Sequence, residues 1–126
     1  MNKKQVLERI KLRKIELGMT LNNIAKLSKL GNRTVTRFFN GQDVKLSTLE
    51  KITNLMGLDF AGNIILDVSI LKENRAKEKA LYIVSLVQDT SSLENQGLEN
   101  SEIEKLIEDT KNQFLTGEYQ KNLWES

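Results

Sequence analysis

Arg33 and Arg37 stand four residues apart in the segment Asn32-Arg33-Thr34-Val35-Thr36-Arg37, so on a helix their guanidinium groups share one face. Residues 1–60 around them hold twelve Lys and Arg against five Asp and Glu, a net charge of +7. Residues 61–126 hold seven bases against twelve acids, a net charge of −5. The whole-chain charge of +2 therefore hides two portions suited to different partners. A basic N-terminal portion fits a polyanion, and the acidic remainder should avoid one. The chain contains neither cysteine nor histidine. That excludes disulfides, thiolate and imidazole metal ligands, and every Cys/His or Ser/His catalytic pair, so no enzyme, metal site or cofactor is expected. Glu102, Glu104, Glu108 and Asp109 cluster near the C-terminus, but their spacing suits a solvated helix face better than a cation site. The first residues open with charge and never reach an apolar run of signal-peptide length, and no segment approaches a membrane span. A cytoplasmic protein is expected.

These residues need elements to position them. Proline is absent throughout, which favours an all-helical reading. Val6, Ile10, Leu12, Ile15 and Leu17 recur at roughly helical spacing, predicting a helix over residues 3–17 stopped at Gly18. Thr20 is a good N-cap for a second helix over 21–28, with Leu21, Ile24, Ala25 and Leu27 as its apolar face. Lys29-Leu30-Gly31-Asn32 reads as a turn, after which Val35 and Phe38 mark a third helix ending at Asn40-Gly41. Ser47 and Glu50 have capping-box spacing for a fourth helix that leads to Gly57. Beyond Gly62-Asn63 the run Ile64, Ile65, Leu66, Val68 predicts a short strand over 63–68, paired with its own copy across a two-fold axis, or equally an extended linker. Ala76, Ala80, Ile83, Val84 and Val87 predict a helix over 70–88, followed by a polar loop over 90–100. Ser101 and Glu104 again have capping-box spacing, for a last helix to about residue 115 that carries Ile103, Leu106, Ile107, Thr110 and Phe114.

The block from Gly18 to Gly41 resembles, without a gap, the helix-turn-helix of the phage repressor and Cro family, often called XRE. The residues that carry the resemblance are Gly18-Met19, the cap Thr20, the pair Ile24-Ala25, the anchor Val35 and the closing Asn40-Gly41. It covers roughly residues 7–60. It implies a lambda-repressor-like domain of roughly four to five helices over residues 1–60; with the short strand and helical extension that the residue spacing predicts over 61–126, the expected fold class is all-α. In this pattern Ala25 is small because two helices cross closely there, and Val35 with Ile24 and Leu30 fixes the angle between them. Leu21, Ile24, Leu30 and Phe38 are expected in the core.

The resemblance implies that the second motif helix enters the DNA major groove. There Asn32 can bond bidentately to adenine, and Arg33 or Arg37 to guanine O6 and N7. Thr34 and Thr36 offer hydroxyls to phosphate or methyl groups to thymine. Asn32 has a second reading as the cap of its helix, with Gly31 making the turn. Thr20, Asn22, Lys26, Lys29, Asn40 and Lys45 fall at flanking positions that touch the DNA backbone in this family. Three positions depart from the pattern. Leu21 stands where the family often has Gln. Lys29 stands where the turn often has Gly, at a cost of roughly 1 kcal/mol if it adopts that conformation. Phe39 stands where a Glu often pairs with a basic residue of the first helix, here Lys14, so an apolar contact at Phe39 is expected instead.

In the acidic half, Tyr82 and Leu86 fall off the Ala80, Ile83, Val84, Val87 stripe, so this helix is hydrophobic on more than one face. Residues 61–126 are therefore assigned to homodimerisation, the plainer alternative being that they complete one monomer's core. A two-fold dimer places two recognition helices roughly 34 Å apart, matching a pseudo-palindromic operator. The tail from Tyr119 to Ser126 ends on aromatics, Tyr119 and Trp124, that either fold back or bind a partner. The sequence thus predicts a DNA-binding transcriptional regulator, a repressor that occludes a promoter. The alternative is the DNA-binding antitoxin of a toxin–antitoxin pair, whose acidic half holds a basic toxin protein.

Overall fold

The computed structural model describes residues 2–93 and 99–126, with the backbone alone for 89–93. The chain divides into two compact units: residues 1–71 together with 124–126, and residues 72–123.

The first unit contains α1 (Lys3–Leu17), α2 (Leu21–Ser28), α3 (Asn32–Phe39) and α4 (Leu46–Leu55). Helix α1 starts with a reciprocal cap: Gln5 N donates to Asn2 Oδ1 at 2.9 Å, and Asn2 N donates to Gln5 Oε1 at 3.0 Å. It stops at Gly18, whose left-handed φ of 74° lets its N–H return to Lys14 O and Ile15 O. Helix α2 has the same device at Thr20, where Asn23 N donates to Thr20 Oγ1 and Thr20 N donates to Asn23 Oδ1. The core of the unit is built by Ile10, Leu17, Ile24, Val35, Ile52, Met56 and Leu58, all essentially inaccessible to solvent. Leu21 and Leu30 are only half-buried, whereas Ile24 and Phe38 are core.

Helix α1 is rotated relative to the sequence expectation. Leu12 and Ile15 are 59% and 73% exposed, while Arg13 is only 3% exposed. The inward stripe is Val6, Ile10, Arg13 and Leu17, at steps of four, three and four. The Arg13 guanidinium occupies a core position because backbone carbonyls meet it there. Its Nε donates to Met56 O at 2.9 Å and its Nη2 to Leu66 O. It thereby satisfies groups that follow α4, and an arginine interior to the domain reads as surface charge when only residue types are counted.

The strand expected over residues 63–68 is not formed. One isolated antiparallel bridge joins Leu58 to Ile64, with Asp59 N donating to Asn63 O and Ile65 N to Gly57 O. These groups are satisfied within the chain, which removes the reason for requiring a strand partner. Gly57, at φ 69°, makes the close approach possible, since a Cβ there would lie 2.9 Å from Leu71 Cδ1 and 3.1 Å from Leu66 Cβ. Asp59 closes the same turn by accepting from Ala61 N and Asn63 N, each at 2.9 Å. The hydrogen bond from the Asn63 backbone is the main reason its carboxyl lies below the usual carboxylate range. The positive charge of Arg9 adds to this, since Arg9 Nη1 donates to Asn63 Oδ1 at 2.7 Å.

Helix α5 (Val68–Leu93) is longer than the expected 70–88 and occupies residues 90–93, which the sequence reading placed in a loop. Of the rest of that loop, residues 94–98 lie outside the described residues, while Glu99 caps and Asn100 begins the next helix. Helix α6 spans Asn100–Leu115 and is followed by a 3-10 turn, Gln120–Asn122. Neither expected serine capping box forms. Helix α4 is entered from Lys45 and α6 from Glu99, with no side-chain cap bond at either. Each helix begins one residue before its serine, so Ser47 and Ser101 are already helical and their hydroxyls are out of position.

In the second unit Ala76, Ala80, Val84, Phe114 and Leu123 are buried. Arg75 Nε donates to Leu123 O at 3.0 Å, and Lys111 pairs with Glu73 at 3.3 Å and Glu108 at 3.4 Å. Tyr82 and Leu86 are exposed, together with Leu81. Among the described residues no helix is long and apolar enough to cross a membrane.

Candidate nucleic-acid interface

Helices α2 and α3 pack against each other across a three-residue turn, Lys29 to Gly31. Two core contributions fix their mutual angle. Ala25 and Ile24 from α2 are buried, and Val35 and Phe38 from α3 are buried with them. A small side chain at Ala25 permits close approach, and the branched Val35 resists rotation about α3. The turn itself is set by Lys29 at φ 58°, ψ 35°, the only non-glycine residue of positive φ among the described residues. Its left-handed conformation lets Leu30 N reach back to Ala25 O at 3.0 Å. Of the two outcomes open to a non-glycine residue here, tolerating the left-handed conformation or shifting it, Lys29 takes the first.

Once Val35, Phe38 and Phe39 point inward, the opposite side of α3 is determined. Asn32, Arg33, Thr36, Arg37 and Asn40 are exposed and follow i, i+1, i+4, i+5, i+8 spacing, one continuous stripe of the helix. Thr34 is half-buried and falls off that stripe, so it is placed less openly than the other four candidate base-contacting residues. Asn32 is the first residue of α3 and Gly31 is its cap; with no side chain at the cap, the first-turn N–H groups carry no side-chain cap bond. The capping alternative for Asn32 is thus removed. Phe39 is buried and meets Phe38 edge-to-face, ring centroids 5.1 Å apart, which supplies the apolar contact expected where the family often has Glu.

The flanking candidates are exposed in the same unit: Thr20 at the cap of α2, Asn22 and Lys26 on its outer face, Lys29 in the turn, Asn40 after α3 and Lys45 before α4. Thr20 Oγ1 accepts the cap bond, so its hydroxyl hydrogen remains free to donate outward. Asn40 N is occupied with Thr36 O at 3.0 Å, leaving its side-chain amide for other partners.

Charge is distributed unevenly over the twelve cations of residues 1–60. Lys3 pairs with Asp43 and also donates to Gly41 O, Arg9 is tied to Asn63, and Arg13 is interior. By contrast Lys26, Lys29, Arg33, Arg37 and Lys45 form no ion pair among the described residues. Uncompensated cations interspersed with amide and hydroxyl groups on a rigid helix pair suit phosphate contact and base-edge recognition. Asn23, which locks Thr20, was not singled out by sequence reasoning, although Thr20-x-x-Asn23 has the spacing of a capping box with Asn in place of Glu or Gln.

Residues 10–63 match the model of a protein family described as helix-turn-helix. The match begins inside α1, includes α2, α3 and α4, and ends at the turn held by Asp59 and Asn63. No curated protein and no solved structure matches the chain.

Proposed function

Residues 10–63 form a helix-turn-helix domain of the XRE type, and from that premise we propose that this DNA-binding regulator represses transcription by occluding a promoter. The reading includes binding as a dimer to a pseudo-palindromic operator in the cytoplasm, with no catalytic step and no cofactor. One observation carries it: the exposed α3 stripe Asn32, Arg33, Thr36, Arg37, presented by a buried α2–α3 contact and bearing cations that form no ion pair among the described residues. In this reading Arg33 and Arg37 recognise guanine edges, Asn32 recognises adenine, and Thr34 and Thr36 add contacts to phosphate or thymine methyl groups. Thr20, Asn22, Lys26, Lys29, Asn40 and Lys45 hold the backbone and supply most of the affinity.

Binding-site selection from random duplexes tests this. A two-fold-symmetric consensus is expected, and Arg33→Ala and Arg37→Ala should each relax one position of the half-site by about 1–3 kcal/mol. If both variants bind every duplex as the parent does, the assigned readout is wrong. A salt titration of the same binding should fall steeply, by a log–log slope of about 0.9 per phosphate contacted.

A second reading, the antitoxin of a toxin–antitoxin pair, is favoured by the exposed Leu81, Tyr82 and Leu86 of α5. They lie within a portion, residues 61–126, that carries a net charge of −5, a surface suited to a basic protein. Isolation of the native complex separates the two. A complex containing this chain alone supports the regulator, and a stoichiometric basic partner supports the antitoxin.

A further inference from the structure

The rotation of α1 leaves Leu12 and Ile15 exposed, and Ile64 and Ile65 after α4 are exposed as well. Leu12 and Ile64 line a groove of 340 Å³ together with Arg9, Glu16 and Asn63. Ile15 stands three residues after Leu12 on α1 and Ile65 is the chain neighbour of Ile64, and the four are 59–73% exposed. Single exposed apolar residues are ordinary, but two that share a groove, each with a second exposed apolar residue close by in the chain, mark an interaction surface.

The charges beside the groove indicate what covers it. Arg9 and Glu16 lie three residues before Leu12 and three after Arg13 on one face of α1, so they are placed symmetrically about the Leu12–Arg13 peptide. Two α1 helices packed antiparallel about a two-fold axis at that point bring Arg9 of each copy opposite Glu16 of the other, with the Leu12 side chains meeting between them. Such a surface is self-complementary in shape class and in charge, the requirement for an isologous interface. Among the described residues Arg9 donates through Nη1, to Asn63 Oδ1 and Ala61 O, and its Nε and Nη2 have no hydrogen-bond partner there, which suits an outside carboxylate. We propose that this face, centred on Leu12 and Ile64 and flanked by Arg9 and Glu16, is the surface through which a second copy of this chain binds. The proposal rests on the dimeric reading above and locates its interface. It moves the interface from residues 61–126 alone to one that also draws Leu12, Arg9 and Glu16 from α1.

Complementary charge reversal tests it without DNA. The parent, Arg9→Glu and Glu16→Arg are each measured by light scattering across a dilution series, and the two variants are also mixed. The parent should have twice the chain mass. Each variant alone should dissociate at concentrations about tenfold higher or more, because like charges then face each other twice across the axis. The mixture should regain the parent's dimer. In it the carboxylate introduced by Arg9→Glu faces the guanidinium introduced by Glu16→Arg, and the native Arg9 and Glu16 that remain fill the second contact. That recovery also shows that both variants are folded. A monomeric parent, variants that dimerise as the parent does, or a mixture that stays dissociated would each overturn the proposal. Binding of each variant to a single half-site duplex is read separately, so failure of the interface is distinguishable from failure of the DNA-binding reading.

Discussion

Replacing Lys29 with glycine should stabilise the protein. Lys29 is held at φ 58°, ψ 35°, where its Cβ crowds the following carbonyl. That conformation costs a non-glycine residue about 1–2 kcal/mol. Glycine removes the strain but has more freedom to lose on folding, worth about 0.5–1 kcal/mol in the opposite direction. The difference favours Lys29→Gly by about 0.5–1 kcal/mol. The side chain is exposed and forms no ion pair among the described residues, so little is lost with it. For a domain of this size the gain corresponds to a rise in Tm of about 2–6 °C. The assay is thermal unfolding followed by circular dichroism, with Lys29→Ala as control, because alanine removes the same charge and keeps Cβ. Lys29→Gly should melt above both the parent and Lys29→Ala. If it melts no higher than Lys29→Ala, the turn is not strained and the argument fails. On DNA the two variants should behave alike: if Lys29 holds a phosphate as proposed, each lowers the salt slope by about 0.9.

Three further outcomes follow from the same geometry. Arg13→Met fills the position but removes both donors, leaving Met56 O and Leu66 O short of partners, and should cost about 2 kcal/mol in a urea titration. Asp59 titrates lower in the folded than in the unfolded chain, so its contribution is present above the usual carboxylate range and is lost as pH falls through its depressed folded value. Asp59→Asn should therefore flatten the acid limb of stability against pH, and an unchanged limb would count against the turn described here. Trp124 is the only tryptophan, and its indole Nε1 donates to Leu17 O at 2.7 Å while the ring is buried. Trp124→Phe should keep the packing and cost about 1 kcal/mol in thermal unfolding, and the parent's fluorescence should be blue-shifted until it unfolds.

The extents of α1 and α2 were legible in the sequence because local signals set them: Gly18 stops a helix and Thr20 caps one. The start of α3 was not, since Gly31 caps it without a side chain and Asn32 is already helical. The α3 stripe followed from the same local logic, since the period that buries Val35 and Phe38 exposes Arg33 and Arg37. Where caps compete with neighbouring backbone, local signals failed. Ser47 and Ser101 had the right partners three residues on, yet each helix starts one residue earlier. A pattern of residue types also could not distinguish Arg13 from the other cations of α1. Its burial depends on carbonyls of Met56 and Leu66, more than forty residues away, and no periodicity reports on those.

Sequence alone thus determined the helix-turn-helix, the exposed basic stripe of α3 and the unusual residue in its turn, because these depend on contacts within about four residues and on the 3.6-residue period. Tertiary structure decided which way α1 faces, that residues 63–66 return to Gly57 and Leu58 instead of forming a strand, and that Trp124 closes on Leu17. Those depend on hydrogen bonds between groups distant in the chain. By drawing Arg13 inward they turned Leu12 and Ile15 outward and created the apolar face assigned to a second copy.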